Sequence, residues 1–120
     1  MAHSVAEVFD VLDDEERKAT VPTIARIEYP HESRVDFGFG DEGYLLIVWP
    51  RWRDSPPGVW YTALGDAAPG PPVDFWLQGL DHSSFDRRYL LTKAVAREAL
   101  YAFLETGERL ASVPWDFQEF

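Results

Sequence analysis

Hydrophobic residues recur along the chain with two different periods, and the changes of period mark its elements. Val5, Val8, Phe9 and Leu12 stand at i, i+3, i+4 and i+7, with Glu7, Asp10, Asp13 and Asp14 between them, a pattern that predicts an amphipathic helix. Ser4 is its N-cap and Glu7 completes a capping box, while Arg17 and Lys18 oppose the negative end of the helix dipole and Thr20 to Pro22 stops it. From Thr23 the period becomes two. Thr23, Ala25, Ile27 and Tyr29 alternate with Ile24, Arg26 and Glu28, a turn follows at Pro30 to Ser33, and Val35, Phe37 and Phe39 alternate with Asp36 and Gly38. After the turn Gly40 to Gly43, Tyr44 to Trp49 is a nearly continuous apolar run, as expected of a central strand buried on both faces with a helix across one side.

Pro50 to Gly58 is too rich in proline to continue a ladder and reads as a loop carrying Trp52. Val59 to Leu64 forms the next strand, and the proline- and glycine-rich stretch Gly65 to Pro72 leads to another, in which Val73, Phe75 and Leu77 face one way and Asp74, Trp76 and Gln78 the other. Gly79 to Asp86 reads as a polar loop. Thr92 then caps a second helix with Ala96, Ala99, Leu100 and Phe103 on its apolar stripe and Lys93, Arg97, Glu98 and Glu105 opposite; Gly107 ends it, and a last strand is expected near Val113 to Phe117. The fold class is therefore α+β. Residues 1–120 make a single domain, a twisted antiparallel sheet of about five to six strands with an N-terminal helix and a C-terminal-half helix packed on it.

Composition narrows the class. Apolar residues make up 46% of the chain and aromatic residues 15%, which excludes a disordered chain. The absence of cysteine excludes a disulfide scaffold and thiolate metal sites, and suits a reducing cytoplasm. The first residues show no basic region followed by an apolar core, so no secretory signal is expected, and no apolar run is long enough to span a bilayer. With 21 acidic against 11 basic residues the formal charge is -10, which disfavours nucleic acid and anionic membranes and favours a basic protein partner.

The chemical inventory is thin. His3, His31 and His82 are widely separated and form no metal-ligand pair, and no phosphate-cradling loop, nucleophile elbow or zinc-deaminase pattern occurs, so neither a metal nor another cofactor is expected. One cluster imitates an active site: Asp81, His82, Ser83, Ser84 and Asp86 hold a possible base, orienting acid and nucleophile. Neighbouring side chains on a loop splay apart, however, and the plainer reading is that Asp81, Ser83 or Ser84 bonds local backbone while Phe85 plugs the core. Among the five tryptophans, Trp49, Trp60 and Trp115 are expected to pack in the core, and Trp52 and Trp76 are the two candidates for exposed anchors.

The strand Phe75-Trp76-Leu77-Gln78-Gly79, the segment Asp81-His82-Ser83-Ser84-Phe85, the helix end Phe103-Leu104-Glu105-Thr106-Gly107-Glu108-Arg109 and the Val113-Pro114-Trp115 strand resemble immunity protein family one, small bacterial proteins encoded beside polymorphic toxins. The resemblance is specific over roughly the last 50 residues and extends through the rest as a compatible order of elements. Ser84 replaces a usually acidic loop residue and Leu110 a frequent proline, so no role of that loop acid carries over to position 84. The resemblance implies a non-enzymatic immunity protein that neutralises a cognate toxin, often a nuclease or nucleic-acid deaminase. On this reading Trp52, Asp74, Trp76, Gln78, Asp81, His82, Ser84 and Asp86 make the contact surface. The alternative is a small enzyme using His82 with Asp81 or Asp86, which requires a concave site where these groups converge.

Overall fold

A computed structural model describes residues 4–29, 33–49, 59–77 and 81–119. Both helices form where the capping chemistry places them. In α1 (Val5–Lys18) the Ser4 hydroxyl accepts the Glu7 N–H at 3.1 Å, and in α2 (Lys93–Thr106) the Thr92 hydroxyl accepts the Val95 N–H at 3.3 Å. Gly107 closes α2 in the left-handed conformation at φ 76°, and its N–H reaches the Phe103 carbonyl.

The strands are β1 (Thr23–Tyr29), β2 (Ser33–Gly40), β3 (Gly43–Trp49), β4 (Val59–Ala63), β5 (Val73–Leu77), β6 (Asp81–Phe85) and β7 (Trp115–Glu119). They form one sheet in the order β6-β5-β1-β2-β3-β4-β7. The α+β class and the two packed helices are as expected, but the sheet is larger and mixed. It has seven strands, and β1 pairs with β5 in parallel, Thr23 beside Trp76 and Ile24 beside Leu77. The connection after β4 carries the chain back across the sheet, so the strands are not a simple meander. The additional strand is β6, which replaces the expected loop over Asp81–Phe85 by pairing antiparallel with β5 from Val73↔Phe85 to Leu77↔Asp81. Cross-strand pairing with a preformed neighbour outweighs the polar composition of this segment.

Two apolar clusters occupy the two faces of the sheet. On one face Val35, Phe37, Phe39, Leu46 and Val48 pack against Val8 and Leu12 of α1 and Ala96, Ala99, Leu100 and Phe103 of α2. On the other, Ile24, Leu45, Val73 and Phe75 pack with Tyr89 and Leu90. Burial on both faces is what the continuous apolar run of β3 implied. Ion pairs from Arg97 to Asp13 (2.6 Å) and Lys93 to Glu16 (3.5 Å) tie α2 to α1, and the Tyr44 hydroxyl donates to the Glu16 carboxylate.

Residues 86–91 join the two faces. A 3₁₀ turn (Arg87–Tyr89) is capped by the Asp86 side chain, and Leu91 exchanges backbone hydrogen bonds with Tyr44 at 2.9 and 2.8 Å. On the opposite side Gly65 donates its N–H to the Arg88 carbonyl at 2.7 Å. This stretch therefore lies between the start of β3 and the continuation of β4, with Leu90 in one cluster and Leu91 in the other. Arg87 secures it through the Pro71 carbonyl (2.8 Å) and Glu42 (2.5 Å), and Tyr89 through Asp116 (2.5 Å).

Trp49, Trp60 and Trp115, expected in the core, are half-buried. Trp49 and Trp60 stack at 4.6 Å, and Arg34 covers Trp49 at 4.0 Å beside the buried Asp36, which Arg26 reaches at 2.9 Å. Trp115 packs on the helix-side cluster and donates its indole N–H to the Leu110 carbonyl at 3.1 Å.

Candidate functional site

The β5–β6 pair assembles four of the eight residues singled out in the sequence. Alternation along β5 turns Val73, Phe75 and Leu77 to one face and Asp74 and Trp76 to the other, and the antiparallel register places Ser84 opposite Asp74 and His82 opposite Trp76. His82 stacks on Trp76 with ring centroids 5.2 Å apart and an interplanar angle of 28°, while the Ser84 hydroxyl donates to the Asp74 carboxylate. His82 and Ser84 are exposed, and Asp74 and Trp76 half-buried. The result is an aromatic pair beside an acid and a hydroxyl on an outer strand of the sheet.

Asp81 and Asp86 have other local roles. The Asp81 carboxylate accepts the N–H of His82 at 3.0 Å, and Asp86 accepts the N–H of Arg88 at 2.9 Å to cap the 3₁₀ turn. Both acids remain exposed. Because Asp81 and His82 are consecutive on a strand, their side chains leave opposite faces of the sheet. No Asp-His-Ser convergence arises from this segment; its one histidine rests on a tryptophan ring. Trp52 and Gln78 lie outside the described residues.

Beside this surface runs an open-sided groove of about 460 Å³ between α1 and β1. Its lining includes Glu15, part of the acidic run Asp13 to Glu16, and Val11 and Val21, which sequence periodicity did not single out; Val11 and Val21 are 55% and 43% exposed. Val11 stands three residues after Val8 and widens the apolar stripe of α1 past its buried part, the sequence signal that marks it. A second cleft of about 310 Å³ lies between Leu64, Val95 and Pro114. Neither depression is lined by Asp81, His82 or Asp86. Among the described residues no three histidine or acidic side chains gather as a metal site, and no helix is long and apolar enough to cross a membrane.

The chain matches the family model described as Immunity protein Imm1 over residues 2–116, extending the likeness from the last third to nearly the whole length. No curated protein and no solved structure shows significant similarity to it.

Proposed function

Since this chain belongs to the Imm1 immunity protein family, we propose that it protects its host by binding a cognate toxin and covering it stoichiometrically, without chemistry of its own. The observation that carries this reading is the Trp76–His82 stack, held at fixed register on an outer strand pair with the histidine exposed and the tryptophan half-buried beneath it. Tryptophan is enriched at the energetic centres of interfaces because a large rigid ring gives much contact area for little lost conformational freedom. Asp74 and Ser84 supply adjacent polar contacts, and Asp81 and Asp86 act as rim acids that speed encounter with a basic toxin. A nuclease or nucleic-acid deaminase fits such a partner, because an enzyme that grips phosphate backbones presents lysine and arginine. The cytoplasm, where such a toxin acts, is the corresponding place of work.

Co-expression with the protein encoded immediately upstream tests the proposal. Relief of growth arrest and recovery of a one-to-one complex are expected; a chain that neither protects nor co-purifies rejects it. Within a working pair, Trp76→Ala is expected to weaken binding by about 2 kcal/mol or more, roughly thirtyfold in Kd. Lysine at positions 81 and 86 is expected mainly to slow association.

A further inference from the structure

The groove between α1 and β1 extends the β5–β6 surface. Thr23, in its lining, lies beside Trp76 in parallel register, so the floor of the groove runs directly into the Trp76–His82 stack. Half-buried Ala25 and Ile27 continue that floor, and Val11 and Val21 stand exposed at its margins. A lone exposed valine is ordinary. Two bordering one depression, on a floor already apolar, make a continuous apolar strip.

The charge of the groove is settled by its ion pairs. Its two cations are engaged, Lys18 with Asp14 at 2.8 Å and Arg26 with Asp36 at 2.9 Å. Glu15 makes no ion pair among the described residues, and Asp74 accepts a neutral hydroxyl. The strip is thus apolar along its floor and negative at its edges, in a chain of net charge -10. A second copy of this chain would bring the same sign of charge to the same place and be repelled.

We infer that this groove seats a basic segment of the toxin, with apolar side chains turned to the Val11–Val21 strip and cationic ones toward Glu15 and Asp74. The inference rests on the proposal that a toxin is bound, and it enlarges the contact surface from the strand pair to the flank of α1.

The test uses the intact chain with its co-expressed toxin, and compares Kd and association rate across variants whose melting temperatures match the parent. Glu15→Lys, at an exposed position, is expected to slow association about tenfold at low salt, and the effect should shrink as salt rises. The pair Val11→Lys and Val21→Lys is expected to raise Kd at least about tenfold, and more than glutamates at the same two positions, since lysine adds repulsion to the loss of apolar contact. Phe117→Ser, on β7 at the far edge of the sheet, is expected to leave Kd within about twofold. Should the valine pair unfold the protein, Glu15→Lys still decides. Parent-like binding by the folded groove variants overturns this inference while leaving toxin binding intact, as does a dimer of the free chain that Glu15→Lys disperses. Failure of the parent chain to protect or co-purify removes the proposed function and this inference together.

Discussion

Individual residues differ sharply in how much the fold depends on them. A Cβ added at Gly65 would lie 1.9 Å from the Leu90 carbonyl oxygen, a backbone atom that cannot swing aside. Gly65→Ala is therefore expected to cost at least about 2 kcal/mol of stability, readable by denaturant titration. Gly107→Ala imposes only the left-handed penalty at the end of α2, about 1 kcal/mol. Tyr44 gives a pH signature. Burial and its hydrogen bond to Glu16 raise its hydroxyl from the usual 10.0 to about 12. The folded chain holds this proton where the unfolded chain releases it, so the contribution is complete below about pH 10 and is lost as pH rises toward about 12. Tyr44→Phe is expected to flatten the alkaline decline of the melting temperature relative to the parent; parallel declines would remove Tyr44 as its source.

The elements differ in how plainly they can be read. Both helices are written locally, because a cap is a side chain bonding its own next turn: Ser4 with Glu7 and Thr92 with Val95. The consequences of breaking the two caps should nonetheless differ. Helix α2 buries Ala96, Ala99, Leu100, Phe103 and Leu104, whereas α1 buries only Val8 and Leu12. Thr92→Ala is expected to lower global stability by about 1 kcal/mol, while Ser4→Ala mainly speeds amide exchange in the first turn of α1. Strand β6 was hidden for the opposite reason. Asp81-His82-Ser83-Ser84-Phe85 has no apolar alternation, and β5 alone makes it a strand. The parallel pairing of Thr23 with Trp76 joins positions far apart in sequence and leaves no local trace. The site follows the same division. Alternation marked Asp74 and Trp76 as a shared face, and His82 and Ser84 stood out by residue type, but their pairing required β6. The margin at Val11 and Val21 emerged only when α1 was laid against β1.

At the scale of the whole molecule, the proposed function turns on charge. A net charge of -10 is screened over about 10 Å at 0.1 M salt, so association with a basic toxin should accelerate markedly as salt is lowered while dissociation changes little. Stopped-flow rates across a salt series measure this, and an association rate indifferent to salt would argue that the acids serve solubility alone. The core lies on the other face of the same strands, where Phe75 packs edge-on against Phe85. Phe75 is fully buried on the sheet face opposite Trp76, so Phe75→Ala should cost about 3–5 kcal/mol of folding stability. In a complex formed at saturating concentration, that variant should still carry an intact binding face.

The passage of residues 86–91 between β3 and the extension of β4 acts like a toggle through a buttonhole. The outer hairpin and α2 are joined through this one stitch, which is itself held by backbone hydrogen bonds to Tyr44 and Gly65. On the proposed function, a contact surface fastened in this way has less ordering entropy to lose when a toxin docks, which favours long-lived grip over loose capture.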